Sequence, residues 1–182
     1  MRKIINSTYI TLDGVIDNPM WTMPYFDDEA SDFAGQQTAA ADALLMGRAT
    51  YEAFAASWPT RDESDPATGA KYFNSVKKYV ASTTLTDPEW NNTEVLQGDT
   101  VEAVRTLKER EGGDILQYGY GSLTTTLIKA GLLDEVRFWI HPVLVGGPSV
   151  TAPLADVKAT FQLVGTRVHK SGVIIASYRP VS

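Results

Sequence analysis

Short apolar runs alternate with amphipathic segments along the chain, and this alternation predicts strands and helices in turn. The runs that we interpret as strands lie at about 2–12, 42–46, 79–82, 114–118 and 136–140. The segments that we interpret as helices lie at about 27–39, 48–57, 67–75 and 122–130, with one more between Asp99 and Gly112. Strands that alternate with helices in this way are typical of an α/β fold built on a mainly parallel sheet.

The last part of the chain has a different pattern. Two extended runs, at 160–169 and 172–179, flank Lys170-Ser171-Gly172, which is a hairpin signal. We therefore expect a mixed, mostly parallel sheet flanked by helices, with a C-terminal antiparallel hairpin at its edge. The length of 182 residues fits a single domain over 1–182.

The composition of the chain argues against several classes of partner and cofactor. The net charge of −6 and the pI near 4.9 argue against a nucleic-acid or acidic-membrane partner. The chain has no cysteine, which excludes disulfides and thiolate metal sites and suits a reducing cytoplasm. Its two histidines, His141 and His169, have no metal-ligand spacing, so we expect no metal. No apolar run approaches the ~18 residues that a membrane span needs, and the first residues do not resemble a secretion signal.

The most informative stretch is Leu45-Met46-Gly47-Arg48-Ala49-Thr50, where an apolar run stops at a glycine and a helix begins. The unpaired N–H groups and the positive dipole of such a helix start favour a phosphate. Arg48 adds a planar fork that matches phosphate oxygens, and Thr50 adds a hydroxyl donor. This stretch therefore predicts a site for a phosphorylated cofactor.

Two further strand ends have a similar pattern. Ser82-Thr83-Thr84 places hydroxyl donors after a strand, and Tyr118-Gly119-Tyr120-Gly121-Ser122 passes from a strand through glycines into a helix. Ligands of open α/β sheets lie beyond the carboxyl ends of the strands, so all three ends are expected at one edge. The alternative is that the glycines are ordinary turn residues and the hydroxyls are caps. The fingerprints G-x-G-x-x-G and G-x-x-x-x-G-K-[ST] are absent from the sequence.

Asp27 and Asp28 follow the apolar loop and begin a predicted helix. A carboxylic acid at the mouth of a site can relay a proton to a substrate ring, and Asp27 is the candidate catalytic residue. The alternative interpretation is a helix cap or a favourable charge at the helix start.

Taken in order, the motifs resemble those of the dihydrofolate-reductase-like superfamily, and within it those of bacterial proteins related to the reductase (RibD C-terminal) domain of riboflavin biosynthesis. The resemblance covers nearly the whole chain. The residues that carry it are Thr11-Leu12-Asp13-Gly14-Val15-Ile16, Leu45 to Glu52, Gly119-Tyr120-Gly121-Ser122-Leu123, Gly131 to Val136, Pro142 to Gly147 and Ser171-Gly172-Val173-Ile174.

The resemblance implies an NADPH-dependent oxidoreductase of a small heterocyclic, pterin- or aminopyrimidine-like substrate, similar to dihydrofolate reductase or 5-amino-6-(5-phosphoribosylamino)uracil reductase. It also implies a homodimer. By the same likeness, Ser82 and Thr83 lie near the adenosine 2′-phosphate and Leu12 lies near the nicotinamide. The phosphates and pyrophosphate are assigned by the resemblance to Gly47, Arg48, Thr50, Gly119, Tyr120, Gly121, Ser122 and Leu123.

The chain departs from the riboflavin-pathway reductases at two places. Ser7 stands where they carry a lysine, and Tyr118-Gly119-Tyr120 stands where they carry Glu-Gly-Gly. A folate, a flavin precursor and an unrelated carbonyl compound therefore all remain open as substrates. A non-catalytic nucleotide-binding regulatory protein is the alternative function, and a structural interaction domain is a third.

Overall fold

The computed structural model describes residues 1–65, 68–146 and 157–181. Its strands are β1 (Ile4–Thr11), β2 (Ala41–Gly47), β3 (Lys77–Ala81), β4 (Thr93–Val95), β5 (Asp114–Tyr118), β6 (Glu135–His141), β7 (Thr160–Val168) and β8 (Ile174–Val181). Its α-helices are α1 (Asp28–Ala40), α2 (Arg48–Ser57), α3 (Ala70–Ser75), α4 (Thr100–Glu109) and α5 (Ser122–Lys129), with 3-10 turns at Pro19–Tyr25 and Trp58–Thr60.

The strands form one eight-stranded sheet in the order β4-β3-β2-β5-β1-β6-β8-β7. The pairs from β4 to β6 are parallel, whereas β8 pairs antiparallel with both β6 and β7. The expected mixed, mostly parallel sheet with a C-terminal antiparallel hairpin is therefore confirmed. The short strand β4 is an addition, because three residues are too few to give a periodic signal.

Both faces of the central strands are buried, which explains why β2 is an almost continuous apolar run. Successive side chains point to opposite faces, so Leu45 packs with α4 and α5 while Leu44 packs on the α2 and α3 side. A third cluster, around Trp139 and Ala30, fixes α1 on the same face as α2. Helices α4 and α5 thus cover one face of the sheet, and α1, α2 and α3 cover the other. The carboxyl ends of the strands lie between these two layers.

Pairing registers bring three strand ends together at that edge. Gly47 of β2 lies opposite Ala81 of β3, and Met46 lies opposite Tyr118 of β5. The chain leaves the sheet from all three strands at the same level and turns into α2, the Ser82–Thr84 segment and α5. Among the described residues, no helix combines the length and the apolar character needed to cross a membrane.

A buried lysine holds β3 in place. The ammonium group of Lys78, which is 0% exposed, donates hydrogen bonds to the carbonyl oxygens of Val76 and Asn91 at 2.9 Å and of Asn74 at 3.2 Å. It also lies 4.3 Å from the centroid of the Trp90 ring. Lys78 thus joins the residues before β3 to the loop that follows it, and β3 leads directly into Ser82.

Replacing Lys78 with methionine should lower the free energy of unfolding by about 2–3 kcal/mol, because it leaves buried carbonyl groups without donors. The matched control is Lys77→Met at the neighbouring residue, whose half-exposed ion pair with Glu94 should contribute less than about 1 kcal/mol. Urea unfolding of both variants measures the difference. Equal losses would contradict a special role for Lys78.

Candidate active site

A cleft of about 1750 Å³ opens at the carboxyl edge of the sheet, between α1, α2 and α5. Ten of the residues predicted to bind the cofactor line it. They are Gly47, Arg48, Thr50, Ser82, Thr83, Gly119, Tyr120, Gly121, Ser122 and Leu123. The structure therefore brings the three strand ends to one place, while the binding of a cofactor by these residues stays a prediction.

The turn after β5 approaches the first turn of α2 very closely. Gly119 has a φ of +87°, and a Cβ at this position would overlap the hydroxyl oxygen of Thr50. A Cβ at Gly47 would lie 4.0 Å from that of Leu123 in α5. A residue without a side chain is thus required at Gly119 both by backbone conformation and by space.

The two helices that begin at the cleft lack side-chain caps. α2 follows Gly47 and α5 follows Gly121, and neither glycine offers a side-chain acceptor to the first N–H groups. By contrast, Asp27 caps α1 through the N–H of Ala30, and Asp99 caps α4 through the N–H of Glu102. The uncapped N–H groups and the positive ends of α2 and α5 therefore remain available for an anion in the cleft.

The guanidinium of Arg48 spans two of the strand ends. Its Nη1 donates to the hydroxyl oxygen of Thr84 at 2.6 Å, and its Nε lies 2.6 Å from a carboxylate oxygen of Glu52. The hydroxyl oxygen of Ser82 accepts from the N–H groups of Thr84 and Leu85, which tightens the turn after β3. Arg48 therefore stands beside the hydroxyl cluster of this turn.

A network of buried polar side chains holds the turn after β5 through hydrogen bonds to its backbone. The carbonyl oxygen of Gly119 accepts hydrogen bonds from the side chains of Asn6 at 2.8 Å, Gln117 at 2.7 Å and Thr124 at 3.1 Å. The hydroxyl of Thr8 donates in turn to the amide oxygen of Asn6 at 2.8 Å. This network links β1, β5 and α5, so the position of the turn is set by the centre of the sheet.

The part of the cleft beside β5 and α2 is aromatic. We call it the aromatic arm, and its members are Phe54, Trp58, Tyr72, Phe73 and Tyr118. The rings of Trp58 and Phe73 stack at a centroid distance of 3.9 Å, and the Phe54 ring lies 5.4 Å from the Tyr118 ring. Of these five residues, the sequence placed only Tyr118 at a predicted strand end, since aromatic residues at the spacing of the others are as typical of a core.

Three tyrosines of the cleft are kept neutral by their surroundings. Burial raises the pKa of both Tyr9 and Tyr120 to about 12. Burial also raises the pKa of Tyr118 far above its usual value; Tyr9 and Tyr72 add to the effect, and Arg137 opposes it. These phenols therefore act at neutral pH as hydrogen-bond donors and acceptors without charge.

Two predicted site residues lie outside the cleft lining. Leu12 is 63% exposed, and its N–H donates to the carbonyl oxygen of Val143 at 3.0 Å. The carboxylate of Asp27 accepts the N–H of Ala30 at 2.9 Å, as the capping alternative predicted. This hydrogen bond is the main cause that lowers the pKa of Asp27, so the group is a carboxylate at neutral pH and a poor proton donor.

His141 lies in an aromatic cluster at the end of β6. Its ring centroid lies 5.5 Å from that of Tyr9, 5.1 Å from that of Trp21 and 5.8 Å from that of Tyr25. Its Nδ1 is 2.8 Å from the carbonyl oxygen of Trp139, and burial lowers the pKa of the imidazole. His141 thus packs the Pro19–Tyr25 turn against the sheet. The described residues contain no cluster of His, Asp or Glu that could hold a metal ion.

Comparison with known proteins agrees with this architecture. A family model described as the RibD C-terminal domain matches residues 2–175. The uncharacterized protein YyaP of Bacillus subtilis is 32% identical over 182 residues, which cover 97% of this chain and 94% of that protein. Gly147, the last residue of the motif Pro142 to Gly147 named above, lies outside the described residues.

Two solved structures share the fold. A putative riboflavin biosynthesis protein from Shewanella sp. PV-4 superposes with a TM-score of 0.74 at 18% identity, covering 99% of each chain. A diaminohydroxyphosphoribosylaminopyrimidine deaminase/5-amino-6-(5-phosphoribosylamino)uracil reductase from Thermotoga maritima superposes with a TM-score of 0.66 at 16% identity, and this chain spans 57% of that protein. The resemblance to the dihydrofolate-reductase-like superfamily is thereby confirmed.

Replacing Gly119 with alanine should lower the free energy of unfolding by about 2–4 kcal/mol, because φ is positive and the methyl group collides with Thr50. The control is Gly121→Ala two residues later, where no atom lies within 4 Å of an added Cβ. We expect that control to lose less than about 1 kcal/mol. Similar thermal unfolding of the two variants would contradict the close approach.

Asp27 should also make stability depend on pH in a defined direction. Its pKa is lower in the folded protein, so its contribution is complete above the unfolded value near 3.9 and is lost as the pH falls through the folded value. Asp27→Asn keeps a capping oxygen but cannot titrate, so the variant should lose less stability than the wild type on acidification.

Urea unfolding between neutral pH and about pH 3 measures this difference. Asp28→Asn removes a charge from the same helix turn without touching the cap bond, and it serves as the control. Parallel pH profiles for the wild type and Asp27→Asn would rule out the capping carboxylate as the cause.

Proposed function

The chain belongs to the RibD C-terminal domain family, and from that membership and the geometry of the cleft we propose that it is an NADPH-dependent reductase of a small heterocyclic substrate. The observation that carries the proposal is the meeting of two uncapped helix starts, those of α2 and α5, around the contact between Thr50 and Gly119. A pterin-like or aminopyrimidine-like ring is the substrate class that we propose.

The residues of the cleft fit a dinucleotide that carries a pyrophosphate and a further phosphate. The N-terminal N–H groups of α2 and α5 suit its phosphates. Thr50, in the first turn of α2, places its hydroxyl beside Gly119, in the turn that leads to α5. Gly119 leaves the turn after β5 without a side chain, which permits a close approach of backbone and ligand. NADPH supplies a hydride when bound, and the protein supplies binding, orientation and electrostatics.

Arg48 is the residue that we propose to select NADPH over NADH. Its Nη1 donates a hydrogen bond to Thr84, so the guanidinium stands beside the turn that carries Ser82 and Thr83, to which the resemblance assigns the 2′-phosphate. An arginine fork and hydroxyl donors together match a phosphate monoester. In a chain of net charge −6, such a local cation is needed to attract an anionic ligand.

Arg48→Ala should weaken NADPH binding by about 10-fold to 100-fold, the value of a charge-assisted hydrogen bond, and should weaken NADH binding much less. Fluorescence titration of both nucleotides measures the two losses. Arg105→Ala is the matched control, because Arg105 is an exposed arginine of α4 whose pairing is with Glu102.

The outcomes of this titration separate the possibilities. Equal losses of NADPH and NADH would place Arg48 at the pyrophosphate instead. Failure of the wild type to bind either nucleotide below millimolar concentration would overturn the reductase proposal. NADPH binding without oxidation in the presence of dihydropterins, aminouracils or simple carbonyl compounds would favour the non-catalytic nucleotide-binding protein.

A further inference from the structure

The strands β6, β8 and β7 expose apolar side chains on the face of the sheet that α4 and α5 cover at its centre. Val168 is 72% exposed, Leu163 is 51% exposed and Ile174 is 38% exposed. Strand pairing and the alternation of side chains place ten residues together on this face. We call it the uncharged face, and its members are Phe138, Ile140, Phe161, Leu163, Thr166, Val168, Ile174, Ala176, Tyr178 and Pro180.

The charged side chains of the same three strands lie on the opposite face. They are Glu135, Arg137, Arg167 and Arg179, which alternate with members of the uncharged face. On that opposite side Arg137 pairs with Glu135, and the guanidinium groups of Arg137 and Arg167 lie 5.7 Å and 4.8 Å from the ring centroid of Phe33 in α1. Although 21% of the chain is charged, the described residues of these strands thus leave no charged side chain for the uncharged face.

β7 is the last strand of the sheet, and edge strands of soluble proteins normally carry charges or are covered. Its members of the uncharged face carry no charge, so a surface that covers them is expected. The register shift between Leu163 and Gly165 interrupts the regular hydrogen-bonding edge of β7. A further strand would pair poorly along such an edge, so the contact must use the face of the sheet.

The size of the uncharged face suits the centre of a contact between proteins. Ten side chains on one face of a sheet cover roughly 300 Å² in plane. A stable contact buries about 800 Å² on each partner, with a centre that is depleted of charged residues and a polar rim. The exposed Leu12 and Leu144 follow β1 and β6 beyond Ile140, and they extend the apolar surface at that end.

We propose that the uncharged face docks against the same face of a second copy of this chain, across a twofold axis. Such a contact places the face against itself, so no charged group is buried without a partner. A partner of different sequence is recognised largely through complementary charges, and this face offers none. The inference goes beyond the proposed reductase function and assigns a surface to the homodimer that the resemblance implies.

The uncharged face also adjoins the cleft. The ring centroid of Phe138 lies 5.1 Å from that of Tyr120 and 6.5 Å from that of Tyr178. Tyr120 lines the cleft and belongs to the turn after β5. A second copy that packs on Phe138 and Tyr178 would therefore lie one aromatic ring away from that turn.

Sedimentation velocity of the full chain at micromolar concentrations, without nucleotide, tests the proposal. We expect the wild type to have about twice the 19.9 kDa mass of one chain. Leu163→Glu would bury an unpaired carboxylate in the contact, so it should weaken the dimer by at least about 100-fold and leave single chains. Val168→Glu should act in the same direction and is the second variant.

Val181→Glu is the matched control. Val181 is 51% exposed, as is Leu163, but the alternation of side chains along β8 places it on the opposite face. We expect this variant to remain a dimer, and far-UV circular dichroism checks that all three variants are folded. If Leu163→Glu does not fold, the more exposed Val168→Glu decides the question.

Three results would overturn the inference. A wild type that sediments as a single chain would show that the uncharged face has a different occupant. Dimers of wild-type stability in the folded Leu163→Glu and Val168→Glu variants would place the contact elsewhere. Equal dissociation of Leu163→Glu and Val181→Glu would remove the distinction between the two faces. Because no nucleotide is present, none of these results bears on the reductase proposal.

Discussion

The close approach of the turn after β5 to the first turn of α2 is the constraint on which the cleft depends. At Gly119 the backbone adopts a positive φ and leaves room only for a hydrogen atom beside the Thr50 hydroxyl. The carbonyl oxygen of the same residue is held by three buried side chains from β1, β5 and α5. Because both sides of this turn are fixed, the starts of α2 and α5 meet at one place.

The two sides of that turn have different chemistry. Toward α5 and the Ser82–Thr84 segment, the cleft offers backbone N–H groups, hydroxyls and the guanidinium of Arg48. Toward α3 and the C-terminal half of α2 it offers aromatic rings and neutral phenols. The boundary falls at Tyr118, the last residue of β5. The cofactor and the substrate that we propose would therefore meet different groups of the same cleft.

Local signals in the sequence predicted the fold well, because its elements are marked where they begin and end. The glycine at Gly47 and the acid at Asp99 mark the starts of α2 and α4 within a residue. The residues of the cleft lining that the sequence indicated are those at the ends of β2, β3 and β5, and their binding of a cofactor stays a prediction. Leu12 is exposed instead of lining the cleft, since its N–H pairs with Val143 beyond β6, and such a pairing is set by tertiary structure.

The aromatic arm is a second part of the cleft that the sequence alone did not indicate. Phe54, Tyr72 and Phe73 belong to α2 and α3, and their spacing along the chain is that of residues that pack in a core. Only the fold shows that they border a cleft. Tyr118 was recognised as part of a strand end, but the orientation of its ring toward Phe54 follows from the alternation of side chains along β5.

The glycine starts of α2 and α5 have a consequence for the protein without its ligand. Helix ends that lack an internal acceptor fray more readily than those closed by an aspartate, so the starts of α2 and α5 contribute less to the folding free energy than the start of α4. An anion that binds the N-terminal N–H groups of both α2 and α5 adds its binding free energy to the stability of the folded state. Thermodynamic linkage then makes resistance to unfolding rise with the concentration of free ligand, by about 2.7 kcal/mol at a hundredfold excess over Kd. If that ligand is the nucleotide proposed above, the lifetime of the folded chain follows the supply of that nucleotide.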